Sequence, residues 1–103
     1  MKVGVVELTP ALIDLCRRWR IAELCVFGSA LRDDFAPDSD IDLLVTFEPG
    51  AAGAPDDDLR LREEFEVYFG RKVDLIERRI IERSRNPYRR HHILTTARRL
   101  YAA

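Results

Sequence analysis

The stretch DSDIDLLV, residues 38–45, sets two aspartates, Asp40 and Asp42, at the mouth of a run that must be buried. Residues 41–47, IDLLVTF, are rich in β-branched and aromatic side chains, which predicts a strand. On a strand, residues i and i+2 share a face, so the two aspartates stand about 7 Å apart at the Cα level. Like charges at that separation repel by roughly 2.4 kcal/mol at an effective dielectric of about 20. Asn or Thr would avoid the cost. A divalent cation reverses its sign, because both carboxylates become ligands, and such hard oxygens suit Mg²⁺.

A third acid fits the same scheme. Asp74 lies between Val73 and Leu75 in KVDLIE, residues 72–77, a second short apolar strand. If that strand lies beside the first, Asp40, Asp42 and Asp74 converge. Three carboxylates around two Mg²⁺ ions suit in-line phosphoryl transfer, and one of them can take the proton of an incoming hydroxyl. Phosphates need a seat as well. Gly28-Ser29 falls where residues 22–27 end as a strand and a helix is expected to start near Ser29. Glycine permits close backbone approach, and free N–H groups with a hydroxyl suit an anion. Arg32, one turn on, could reach the same anion, and Ser39 could orient the loop that carries the acids.

The rest of the chain supplies the frame. Thr9-Pro10 reads as N-cap and first helical residue, with Leu12, Ile13, Leu15, Cys16 and Trp19 at helical spacing, so a helix is expected over about 9–20. Residues 48–55, EPGAAGAP, read as a flexible connection. Asp56 to Asp58 are expected to cap the next helix, whose apolar stripe is Leu59, Leu61, Phe65, Val67, Tyr68 and Phe69, and Gly70 to stop it. A helical turn is expected over 79–85. Asn86-Pro87 opens a last helix with Ile93, Leu94, Ala97, Leu100 and Tyr101 on its apolar face. The order of elements predicts one α/β domain over residues 1–103, a small mixed β-sheet covered by helices.

Composition narrows the classes. Hydrophobic residues are 47% and charged residues 34% of 103, which suits a globular chain. The formal net charge is −1, so no polyanionic partner is implied by the whole. From Glu77 onward eight arginines face two glutamates, a surplus of +6 that leaves −7 before it. Cys16 and Cys25 have no CxxC spacing and read as two buried thiols in a reducing compartment. No apolar run approaches the length of a membrane span, and MKVGVVELTP is no signal peptide, so a cytoplasmic location is expected.

Other schemes fail. Asp38, Asp40 and Asp42 imitate the start of a calcium loop, but Leu43 and Pro49 stand where that loop needs Gly and Glu. There is no P-loop motif. His91 and His92 are adjacent, so on a helix they diverge by about 100° and cannot chelate as an i,i+4 pair. The arginines come with no helix-turn-helix or stacking-aromatic pattern, which argues against a nucleic-acid partner. By contrast, G-S, ten residues and D-x-D should arise by chance in roughly one chain per thousand of this length.

That string, GSALRDDFAPDSDIDLLV, resembles the signature of the nucleotidyltransferase superfamily that includes DNA polymerase β and kanamycin nucleotidyltransferase. The short length, the FGS start and the SDIDLLV ending are most similar to the minimal nucleotidyltransferases, the MNT partners of HEPN proteins. The resemblance implies the polymerase β-like nucleotidyltransferase fold. It also implies nucleotide binding by Gly28 and Ser29, and Mg²⁺ binding by Asp40 and Asp42, with Asp74 as third carboxylate. Arg32 and Ser39 match motif positions whose roles are less fixed. The implied reaction moves a nucleoside monophosphate, AMP from ATP, onto a hydroxyl. In HEPN pairs that hydroxyl is a tyrosine of the toxin, silenced by AMPylation. The alternative is a binding module that neutralises its partner by forming a stoichiometric complex. Larger relatives hold their second substrate with extra domains, so here a partner protein is expected to fill the open half of the cleft. Arg89, Arg90, Arg98 and Arg99 could dock it or steady the triphosphate, or simply line an exposed helix.

Overall fold

The computed structural model describes residues 2–3, 6–31, 40–51 and 55–103. Two short strands, β1 (Lys2–Val3) and β2 (Val6–Glu7), pair antiparallel ahead of α1 (Pro10–Arg18). Thr9 caps α1 as expected: its side chain accepts the Leu12 N–H at 3.2 Å, and Pro10 occupies the first turn. Leu12, Leu15 and Cys16 are its buried face. After α1 come β3 (Ile21–Phe27), a 3₁₀ turn (Gly28–Leu31) and β4 (Ile41–Phe47). Next are α2 (Pro55–Phe69), β5 (Val73–Glu77), α3 (Arg78–Glu82), α4 (Pro87–Thr96) and β6 (Arg98–Ala102).

The main sheet has the order β5-β4-β3-β6. β4 pairs antiparallel with β3 and parallel with β5, so the sheet is mixed as expected. Strand alternation gives it two faces. Leu24, Val26, Ile41, Leu43, Val45 and Val73 pack with α1 and with Leu61 and Phe65 of α2. Cys25, Phe27 and Leu44 point the other way, onto Ile81 of α3 and Ile93 of α4. No helix among the described residues is long and apolar enough to cross a membrane.

Four details depart from the sequence reading. Leu100 and Tyr101 belong to a strand, not to the last helix. α4 ends at Thr96, and β6 pairs antiparallel with β3, Leu24 opposite Tyr101. The sheet edge along β3 offers a full row of backbone partners that helical periodicity cannot reveal. At the helix end, the Thr95 and Thr96 hydroxyls turn back onto the His91 and His92 carbonyls at 2.6 and 2.5 Å. The N-terminal β1–β2 pair was likewise not foreseen. Asp56 to Asp58 lie inside the first turn of α2, which begins at Pro55, rather than capping it. Asp57 and Asp58 still complement the positive end of the helix dipole. Finally, Leu59 and Val67 are 50% and 84% exposed, so the buried stripe of α2 is narrower than its apolar pattern. Gly70 stops this helix as expected, its N–H donating to the Glu66 carbonyl at 2.9 Å.

Both cysteines are buried free thiols, and His91 and His92 are exposed. Burial pushes the Cys16 thiol up to about 12. Burial, then the hydrogen bond to Glu23 and its charge, push Cys25 up to about 11 against the opposing pull of Arg78.

Phe65 is fully buried, so Phe65→Ala should cost about 3–5 kcal/mol in urea unfolding, while Val67→Ala stays within about 0.5 kcal/mol. Both thiols should resist DTNB in the native chain at about pH 8 and react once it is unfolded. Above the ordinary thiol value of 9.0 the folded chain keeps protons that the unfolded chain releases. Stability in urea should therefore be lower at about pH 10 than at about pH 8.

Candidate active site

The site begins with one rung of the sheet. Asp42 is the second residue of β4, and its Cα partners are Phe27 on β3 and Asp74 on β5. Partners in register on neighbouring strands share a face, about 4.8 Å apart. Asp42 and Asp74 therefore stand side by side. One rung further, Leu44 pairs with Ile76, and there the same face is apolar and covered by Ile81. Alternation alone explains the switch: polar at 42 and 74, apolar at 44 and 76. The carboxylates lie at the rim, just beyond the reach of the covering helices.

Asp40 is two residues before Asp42 and so on the same face, one residue outside β4. The chain is pinned between them, because the Ile41 N–H donates to the Lys72 carbonyl at 3.0 Å. Asp40 and Asp74 are exposed and Asp42 is half-buried. The structure thus brings the three expected acids to one end and one face of the sheet. Among the described residues no three His, Cys, Asp or Glu groups are drawn close enough to share a metal ion.

On the β3 side the strand ends in Gly28, whose φ is +71°. A Cβ built there would lie 2.1 Å from Asp42 Oδ2 and 3.1 Å from its Cγ. Glycine is thus required twice, by its backbone conformation and by the carboxylate packed against it. The sequence suggested a different reason, close backbone approach to an anion, and neither of these two. Ser29 is the next residue of the 3₁₀ turn. Arg32 and Ser39 lie outside the described residues. A helix beginning near Ser29 was expected; within the described residues the segment is a 3₁₀ turn through Leu31.

On the β5 side, Asp40 and Asp74 open onto a cavity of about 780 Å³ that Arg62, Arg71 and Lys72 also line. Glu66 lines it too, but its Oε2 accepts the Val73 N–H at 3.0 Å. The sequence reading missed these three cations. Arg62 sits on the polar side of a helix, where a charge is unremarkable. Arg71 and Lys72 fall in the short connection before β5, and only the fold places them beside Asp40. The donors present, three carboxylates of one face with no thiol or imidazole among them, suit a hard cation such as Mg²⁺.

Comparison with known proteins identifies the family. The family described as "Nucleotidyltransferase domain" matches residues 11–100. The protein adenylyltransferase MntA of Thermococcus cleftensis is 37% identical over 71 residues, covering 67% of this chain and 68% of its own. The solved structure of a candidate minimal nucleotidyltransferase is 35% identical, with a TM-score of 0.65 over 85% of this chain and 84% of that one. The fold is also shared, at a TM-score of 0.57 and 16% identity, with a chain in a solved complex. That complex pairs a tri-AMPylated HEPN toxin of Shewanella oneidensis with MNT antitoxin; the match covers 90% of this chain and 68% of that chain.

Gly28→Ala should lose about 1–3 kcal/mol from the left-handed backbone alone, and more from the clash with Asp42. Gly50→Ala is the control, with a φ of +79° and nothing within 4 Å of its Cβ. Urea titrations of both should show the larger loss at Gly28.

Proposed function

We propose that this chain, which belongs to the nucleotidyltransferase domain family, transfers AMP from ATP to a tyrosine hydroxyl of a HEPN-type toxin and so acts as its antitoxin. The observation that carries the reading is the single rung on which Asp42 faces Asp74, with Gly28 against the Asp42 carboxylate. The adenylyltransferase name of the MntA relative supports AMP as the transferred group. The HEPN complex that shares the fold supports the partner.

In this mechanism Gly28 and Ser29 seat the triphosphate by close backbone approach on the β3 side. Arg32 and Ser39 are assigned to nucleotide binding as well. Asp40, Asp42 and Asp74 are the residues that would hold Mg²⁺, which would supply charge neutralisation for the transferred phosphoryl group. The Asp74 carboxylate lies on the far side of Asp42 from Gly28, where an incoming hydroxyl must approach for in-line displacement. A carboxylate oxygen of Asp74 accepts the proton of that hydroxyl. Pyrophosphate leaves on the Gly28 side. The half-buried setting of Asp42 limits water near the reacting phosphorus, and the exposed Asp74 leaves room for a protein acceptor.

Incubation with ATP, Mg²⁺ and the toxin should add AMP mass to the toxin. Asp42→Asn should lower the rate by about 10²–10³-fold or more. Equal labelling by both proteins would remove the catalytic reading. Neutralisation by Asp40→Asn/Asp42→Asn without nucleotide would favour stoichiometric binding.

A further inference from the structure

A second cavity touches the site, and the mechanism makes no use of it. It has a volume of about 630 Å³ and runs along the open edge of β5, between α2 and α3. Asp74 and Arg62 line both this cavity and the one beside Asp40, so the two meet at the third carboxylate. Leu59 and Ile80 also line it, although they are 50% and 59% exposed to solvent. Arg83 and Arg89 complete its basic side.

The charges decide what it fits. Its acids are Asp58, Asp74 and Glu77. Glu77 is held by Arg79 at 3.1 Å, and Asp74 is assigned to the metal site. Arg62, Arg83 and Arg89 then outnumber the one remaining acid, Asp58, in a lining that also holds Leu59, Ile76 and Ile80. Solvent-exposed leucine and isoleucine beside arginine are typical of a surface that a partner covers. β5 is also an edge strand, to which an extended segment can add.

We propose that this cavity receives the acceptor segment, an acidic stretch of the partner protein with an apolar anchor, and delivers its hydroxyl to Asp74. This rests on the nucleotidyltransferase reading and deepens it by naming the acceptor's chemistry. The phosphates occupy the Gly28 side, so the acceptor comes from the other, and the cavity is continuous with that side. Arg83 and Arg89 select negative charge near the tyrosine, and Leu59 and Ile80 take an apolar side chain.

The test uses short synthetic peptides with one tyrosine, set either among glutamates and a leucine or among lysines and a leucine. AMP addition is read by mass, with ATP and Mg²⁺ binding followed separately by calorimetry. The native chain should modify the glutamate peptide with a kcat/KM about tenfold above the lysine peptide. Arg83→Glu/Arg89→Glu, both exposed positions, should invert that preference and keep the circular dichroism and ATP binding of the native chain. Equal use of the peptides by the native chain overturns the proposal. So does an unchanged preference in the double variant, or ATP binding with neither peptide modified. Failure to bind ATP at all is a different result, which removes the parent reading as well.

Discussion

The parallel register between β4 and β5 is the constraint on which the site depends. It sets Asp42 opposite Asp74 and, with the same stroke, Leu44 opposite Ile76. A slip of one residue would turn Asp74 into the core face beneath α2 and expose Val73 and Leu75. Burying an ionised carboxylate among Leu43, Leu61 and Phe65 is far costlier than any gain in pairing. The hydrophobic pattern therefore protects the register, and the register places the acids. Fold and chemistry are specified by the same alternation.

The like charges are tolerable because of where they sit. Asp40 and Asp74 are exposed, so water screens them, and only Asp42 is half withdrawn from solvent. One rung deeper on the same face, Leu44 and Ile76 are apolar. The sheet thus changes from charge to hydrocarbon within one rung, at the end where β3 turns through Gly28 and β4 begins. The steric demand at Gly28 belongs to this arrangement, since the space a side chain would take is filled by Asp42 Oδ2.

Much of this was legible in the sequence, and the reason differs by element. The strand 41–47 and its acids were readable because a strand's period of two is short and the pattern IDLLVTF obeys it. The α1 cap was readable because Thr-Pro is a local signal, satisfied within three residues. β6 was not. Its residues, RRLYA, continue a helical spacing from Ile93, and what makes them a strand is the free edge of β3, far away in sequence. The exposure of Leu59 and Val67 was hidden for the same reason: an apolar residue says that it can be buried, and only the neighbours decide whether it is. The cations around Asp40 were invisible because they come from α2 and from the turn before β5, brought together only when β5 takes its place.

The charge asymmetry, ambiguous in the sequence, resolves into two jobs. Arg78 and Arg99 both reach Glu23 on β3, at 3.1 and 3.9 Å, tying α3 and β6 to the same strand. Arg78 also approaches Cys25 Sγ at 3.7 Å, and the Cys25 thiol donates to the Glu23 carboxylate at 3.4 Å. Arg79 holds Glu77. These arginines hold the late elements against the sheet. Arg83 and Arg89 do something else: they look into the cavity beside Asp74. Charges used to fasten β6 could have been placed anywhere along its contact with β3. On the proposed docking, charges at the edge of β5 have a use of their own, because a negative acceptor segment brought there would lie beside Asp74. On that proposal the basic tail is a clamp followed by a guide rather than a single electrostatic surface.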